Sequence, residues 1–425
     1  MNEGSNIHQT LNHLFRQESG RMVAVLVNVF GTEHLQMVED VVQDALVSAL
    51  ETWKIKGVPD NPRAWLYRTA KNKAIDIVRR NKFSETFDFS APEHQLLTSE
   101  YTLSRTMDQF WEETEIQDDF LGMMFACCHP ELSKENQITF ILKSLCGFST
   151  REVAKAFLTG EDTISKRLYR TKEYFRKNKV KLQIPGPDEI ANRTDAVLSA
   201  IYLVFNEGYS ATHNDQLIRE DVISQAMLLC KSLLDNPKTQ LPQAYALMAL
   251  MCFHAARIEG RLTREGELIL LNQQDRSTWN AELIYKGNDL LNQAAFGDTV
   301  SPYHLEAAIA YEHSTAKSYQ ETNWEAILRY YDHWLSLAFD PVVYLNRCLV
   351  LLELKGPQAA WDAMNQIQDH QKMQNYYLYH AALGEILDRL GRKAEAVQFL
   401  EAAAKLTQSA PEKRFLRDKI AAICN

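Results

Sequence analysis

The chain has 425 residues, which is comfortable for two or three domains. Hydrophobic residues make up 46% and charged residues 24%, so the composition is globular and excludes a disordered, collagen-like or disulfide-framework chain. The formal net charge of -9 argues, for the chain as a whole, against a nucleic-acid binder, because phosphate neutralisation favours a basic surface.

Seven cysteines are odd in number and too few for a disulfide scaffold. The first ten residues, MNEGSNIHQT, are polar and show no secretory signal. The longest apolar runs, Met22–Phe30 and Ala244–Phe253, are roughly half the ~20 residues that a bilayer span needs. The expectation is a soluble protein of a reducing, cytoplasmic compartment, with no membrane segment. Only 16 Gly and 12 Pro punctuate the chain, which favours helix almost throughout.

Residues 7–83 form a first helical block, 84–119 an acidic linker, and 120–181 a second helical block ending in a basic run. IPGPDE (Ile184–Glu189) breaks the chain, and 190–425 continue as helical patterning. Counting by segment reverses the inference from net charge. Residues 54–82 hold nine Lys/Arg against two Asp/Glu, and 163–181 hold eight against one. Residues 84–119 hold ten Asp/Glu against one Arg. Two basic surfaces joined by an acidic strap are expected, although any single charge run also reads as a solvated helix face.

In the first block, Val38, Val41, Val42, Ala45, Leu46, Ala49, Leu50 and Trp53 recur at three- and four-residue steps and predict one amphipathic helix. Glu39, Asp40, Gln43, Asp44 and Glu51 lie on its other face. Pro62 then opens a second helix, with Asn61 as its cap. Trp65, Leu66, Thr69, Ile75 and Val78 are expected inward, and Arg63, Arg68, Lys71, Asn72, Lys73, Arg79 and Arg80 outward. Guanidinium and amide groups on one helix suit base edges, while Lys and Arg also hold phosphate.

DVVQDALVSALETW and PRAWLYRTAKNKAIDIVRR resemble the polymerase-binding helix and the promoter-melting element of extracytoplasmic-function (ECF) sigma factors. The resemblance covers nearly the whole block. It implies that Asp40, Gln43 and Asp44 bind core RNA polymerase. It also implies that Arg63, Arg68, Lys71, Asn72, Lys73, Arg79 and Arg80 contact minus-ten DNA, with Arg68 and Asn72 meeting a flipped, single-stranded base. An extruded base exposes its pairing edge for such reading.

The second block reads as a helix-turn-helix. Ser133 caps its opening helix, Ile138, Phe140, Ile141 and Leu145 supply the core, and Gly147 ends it. Ser149 or Thr150 caps the next helix, with Val153, Ala154 and Phe157 buried. In the turn LTGED, Gly160 is expected to supply a positive φ, and Thr163 to start the last helix, which buries Ile164, Leu168 and Phe175. Thr163, Ser165, Lys166, Arg167 and Arg170 occupy its N-terminal half, the part that enters the major groove in this motif. By resemblance they are the minus-thirty-five DNA readers of a sigma factor. The turn departs from the family's usual form. The acidic strap would then run through the polymerase's positive RNA path, imitating RNA phosphate through Asp118, Asp119 and the glutamates among 112–115.

YYLYHAALGEILDRLGRKAEAVQFLEAAAKL resembles a tetratricopeptide repeat (TPR), with a weaker copy 35 residues upstream, where Leu352–Gly356 corresponds to Leu387–Gly391. Phe205–Ala211, His254–Arg257, Leu270–Asn280 and Asp340–Arg347 resemble signature segments of the ECF subfamily with a large TPR-like C-terminal extension. That resemblance implies regulation in cis and a protein or peptide partner on a concave solenoid face.

Cys127-Cys128-His129 invites a metal reading, yet adjacent helical cysteines diverge and no second pair follows; core packing is expected. Glu207, His254, Asp275 and Arg276 are a candidate polar cluster, expected to be structural. No phosphate-loop, dinucleotide or nucleophile-elbow motif is present. The expectation is therefore an all-α, non-enzymatic sigma factor with two small helical domains and a TPR-like solenoid. It binds core RNA polymerase and double- and single-stranded promoter DNA, with no catalytic residue, metal or cofactor. The alternative is a stand-alone helix-turn-helix regulator with a peptide- or ligand-sensing TPR-like domain.

Overall fold

In a computed structural model the described residues are 3–81, 113–157, 159–180, 185–209, 218–263, 267–367, 373–407 and 409–424. Among them the chain is all-helical, with no strand beyond an isolated antiparallel bridge between Leu262 and Leu268. The chain divides into two compact units. The first comprises Met1–Val204 and Ser224–Thr239, the second Phe205–Ile223 and Gln240–Asn425.

In the first unit, α1 (Glu3–Phe30) buries Met22–Val27 and Phe30, an apolar run too short for a bilayer and suited to a core helix. Gly31, at φ 88, turns the chain into α2 (Leu35–Lys56). The expected α2 stripe is buried at Val38, Val41, Val42, Ala45, Leu46, Ala49 and Trp53, with Leu50 half-buried. Gly57, at φ 79, ends α2, and α3 (Pro62–Asn81) starts with Asn61 Oδ1 accepting from Ala64 N.

Helix α3 buries Leu66, Tyr67, Ala70 and Ala74, while Trp65, Thr69 and Ile75 are only half-buried. The expected inward set is thus corrected by one position: the small side chains of Ala70 and Ala74 let the helix seat closely on α1 and α2. Trp65 still meets Trp53, edge to face at 5.5 Å.

Most of the acidic strap lies outside the described residues, as does the side chain of Val78. Its last residues open α4 (Glu113–Cys127), which packs against α1, with Asn28 Nδ2 donating to Asp119 at 2.9 Å.

The second block follows as α5 (Lys134–Phe140), α6 (Thr150–Ala156) and α7 (Glu161–Asn178). Ser133 caps α5, its hydroxyl accepting from Asn136 N. A wide turn, Ile141–Leu145, continues α5, and Gly147 stops it at φ 68. Ser149 and Glu152 form a reciprocal capping pair at α6. Two turn expectations are corrected. Gly160 sits at φ -82 rather than at a positive φ, and α7 starts at Glu161, leaving Thr163 inside its first turn. Glu161 and Asp162 in that turn favour the earlier start, through the positive end of the helix dipole. Helices α8 (Pro187–Tyr209) and α9 (Glu220–Asp235) follow, and the division between the units falls within both.

In the second unit, α10 (Pro242–Ala255) buries every residue from Ala246 to Phe253 and serves as a central helix. Around it pack α11 (Ala281–Gln293) and α12 (Pro302–Thr315). Beyond them run α13 (Trp324–Leu337), α14 (Pro341–Lys355), α15 (Pro357–Met364), α16 (Tyr377–Arg389), α17 (Lys393–Leu406) and α18 (Ala410–Cys424). Each packs on the next as in a solenoid. The two matched glycines, Gly356 and Gly391, both hold a positive φ at the turn of a helical pair, α14–α15 and α16–α17. At Gly384 an added Cβ would lie 2.7 Å from Leu400, so the closeness of α16 and α17 requires a small residue there.

Candidate nucleic-acid interface

Helix α2 presents Asp40, Gln43 and Asp44 as exposed side chains, because the apolar stripe commits the opposite face to the core. Gln36 steadies Asp40 through Nε2 at 3.1 Å. Glu39 shares the polar face in sequence but is tied down. It accepts from Lys172 Nζ of α7 at 2.5 Å and from Ser144 Oγ at 2.8 Å, while Lys172 also donates to Gln36 at 2.8 Å. A cavity of about 270 Å³ lies along this seam, lined by Glu39, Asp40, Gln43, Lys143, Leu168 and Lys172. Gly20 of α1 allows the second block to approach, since an added Cβ would run into the Leu145 carbonyl.

On α3, Arg68 and Asn72 are exposed and Lys73 is half-buried. Among the described residues none of the three makes a side-chain hydrogen bond or ion pair. Arg79 is exposed and pairs with Asp76 at 3.0 Å, and Lys71 is half-buried. Arg63 folds back instead. It pairs with Glu18 at 3.2 Å and lies over the Tyr67 ring at 5.2 Å, while the Tyr67 hydroxyl donates to Glu18. Burial first, then the Glu18 charge, pushes the Tyr67 hydroxyl well above its ordinary range. The side chain of Arg80 lies outside the described residues.

On α7, Thr163, Ser165, Lys166 and Arg170 are exposed on the N-terminal half. Arg167 is half-buried over the Phe157 ring at 5.1 Å. Ser165 donates to the Glu161 carbonyl, so its hydroxyl proton is already used. Helix α2 packs against both α3 and α7, so one amphipathic helix supports both basic surfaces.

Sequence reasoning missed the ties that hold these surfaces: Glu18, Glu39 and Lys172 looked like ordinary surface charges. Gly20 alone carried a signal, as a glycine inside a helical pattern.

Cys127 and Cys128 are buried, and burial pushes the Cys128 thiol up to about 12. His129 bonds the Tyr174 hydroxyl at 2.8 Å. Among the described residues no group of three or more His, Cys, Asp or Glu is placed to hold a metal. Of the candidate polar cluster, His254 and Arg276 lie in one neighbourhood with Arg257. Asp275 is exposed and caps the turn at Arg276–Thr278 by accepting from Ser277 N. No helix of the described residues is long and apolar enough to cross a membrane.

Residues 14–84, which span most of α1 together with α2 and α3, match the family described as sigma-70 region 2. That first helical segment is therefore of the sigma-70 region 2 kind. The match supports RNA polymerase binding and a part in transcription initiation. Residues 193–295 match a family of unknown function, DUF6596. An uncharacterized protein of Rhizobium meliloti (strain 1021) is 31% identical over 384 residues, covering 90% of this chain and 89% of that protein. The two are therefore members of one family from the region 2 segment through the helical extension. No solved structure matches the chain.

Proposed function

We propose that the chain is an ECF-type sigma factor acting in the cytoplasm, with a TPR-like C-terminal extension that modulates it. The observation that carries this reading is the presence on one region 2 segment of two chemically different surfaces. Asp40, Gln43 and Asp44 stand exposed on α2, and Arg68, Asn72 and Lys73 stand without side-chain partners on α3. Acidic and amide groups suit a basic polymerase groove. Unpartnered guanidinium and amide groups suit an unstacked base.

In this reading Arg68 and Asn72 read the flipped minus-ten base, with Lys71, Lys73, Arg79 and Arg80 on the neighbouring phosphates. Arg63 acts from further back, holding Tyr67 and Glu18 in place. Helices α5–α7 form the helix-turn-helix, and Thr163, Ser165, Lys166, Arg167 and Arg170 meet the minus-thirty-five duplex. The proposed domains are 7–83, the linker 84–119, 120–181 and the extension 190–425.

The extension offers a groove of about 540 Å³ lined by Tyr319, Leu349, Leu378, Arg389, Phe415 and Lys419 among others, whose mixed character suits a peptide. Run-off transcription with core polymerase tests the proposal. Promoter-specific transcript that depends on the added chain is expected. Duplex binding without any polymerase engagement would overturn it in favour of a stand-alone regulator.

A further inference from the structure

The second unit gathers basic side chains around two tight turns. Helix α10 ends at Ala255, and a tight turn, Ile258–Gly260, carries the chain past Arg257 to Arg261. A second tight turn, Arg276–Thr278, brings Arg276 and Trp279 beside them. The Arg257 and Arg276 guanidiniums both lie on the Trp279 indole, at 5.3 and 4.7 Å from the ring centre. Arg261 lies over the Tyr209 ring at 3.8 Å and donates to the Tyr209 carbonyl. Gly260 makes room for the indole, because an added Cβ would sit 2.9 Å from Trp279 Nε1.

The hydrogen bonds of this cluster leave its charge uncompensated. Arg257 donates only to the neutral Gln274 amide, at 3.3 and 3.4 Å. Arg276 Nη1 donates to the carbonyls of His313 and Ala316, at 2.5 and 2.7 Å. Among the described residues none of the three arginines pairs with a carboxylate, although all three are half-buried. Asp275 points to its own turn and Glu259 is exposed. Four buried polar atoms have no protein partner: Nη2 of Arg276, Nε1 of Trp279 and Nδ1 of both His254 and His313. Burial, with the Arg257 charge, pushes His254 and His313 down to about 3, so both imidazoles are neutral at physiological pH. They add nothing to the positive charge and leave hydrogen-bonding nitrogens available.

Partly desolvated charges of one sign are costly unless an opposite charge meets them. Aromatic stacking fixes the guanidinium planes in advance, which suits forked, bidentate recognition of an oxyanion. Half-buried guanidiniums held against rings suit one compact anion better than the extended backbone of a duplex. We propose that Arg257, Arg261 and Arg276, with His254 and His313 behind them, form a binding site for the phosphate group of a small ligand. All but His313 lie in the segment of unknown function, 193–295, so the site gives that segment a ligand chemistry independent of DNA binding.

Isothermal titration calorimetry of the full chain tests this, with orthophosphate, pyrophosphate and AMP as probes at ionic strength matched with chloride. Saturable binding is expected, weakened at least tenfold in Arg257→Gln and in Arg261→Gln and unchanged in Lys355→Ala, whose lysine is exposed on α14. AMP binding more tightly than orthophosphate would identify a phosphate ester as the ligand; equal affinity would identify free phosphate. If either arginine variant fails to fold, the wild-type thermal midpoint decides: a phosphate-specific, saturable rise over chloride supports the site. No heat and no such rise with any probe overturns the proposal. So does equal weakening in Lys355→Ala, or displacement of the probe by double-stranded DNA.

Discussion

The two units deploy basic side chains in opposite ways. On α3 and α7 of the first unit, Arg68, Lys166 and Arg170 stand in solvent on helices whose other face is core. In the second unit, Arg257, Arg261 and Arg276 are half-buried, stacked on Tyr209 and Trp279, and held by carbonyl and amide oxygens. Exposed, mobile charges suit a long polyanion approached over a wide surface and screened by salt. Confined guanidiniums of preset orientation suit one compact anion. The contrast also explains the misleading net charge of -9: the sum over the chain averages basic helices, acidic segments and an inward cationic cluster that have separate physical roles.

The largest expected effect breaks the platform of the first unit. Trp53 is 1% exposed and packs edge to face on Trp65. Trp53→Ala should cost about 3–5 kcal/mol of stability, read from urea denaturation, because a large core cavity is left. Helices α2 and α3 should lose hydrogen-exchange protection together, since one side chain joins them.

Acid comes next and acts on the second unit. His254 and His313 have folded pKa values lowered to about 3, whereas an unfolded chain titrates them near 6.5. Below about pH 6.5 the unfolded state binds more protons, so the stability they confer is complete above that pH and falls as pH drops toward 3. The slope is about 1.4 kcal/mol per pH unit for each histidine. By pH 5 the second unit should have lost about 2 kcal/mol per histidine, measured by denaturant midpoints, and His254→Gln should remove part of the slope. A midpoint flat from pH 7 to 5 would show that the cationic cluster is not closed to protons.

Arg170→Ala should have the smallest effect, because it removes one exposed side chain. A loss of roughly 1–3 kcal/mol in promoter-duplex affinity of the holoenzyme is expected if Arg170 reads a base. A uniform small loss across sequences would make it a phosphate contact instead.

Much of the first unit was legible in the sequence because its signals are local. The α2 stripe repeats at helical spacing, Asn61 and Ser133 stand at caps, and Gly57 and Gly147 stand at stops. The facing of α3 was harder to read, since Ala70 and Ala74 are small and Tyr67 carries its own polar partner into the core. Gly160 misled because glycine permits a positive φ without demanding one. The candidate interface was legible as residue types on helices, not as geometry. Neither the fold-back of Arg63 onto Glu18 nor the Lys172–Glu39 tie has any local pattern. The cationic cluster gathers residues from Tyr209 to His313 across several turns, so the sequence could offer His254 and Arg276 as polar candidates but not the Trp279 indole that Arg257 and Arg276 share.

The central claim is that α3 opens promoter DNA when the chain is bound to polymerase. Permanganate footprinting of a promoter with core polymerase and the full chain measures this directly. The account predicts reactive thymines at the minus-ten segment with the wild-type chain, and at least tenfold weaker reactivity with the Arg68→Ala, Asn72→Ala double variant. Undiminished reactivity in the double variant, or none with the wild-type chain, would contradict it.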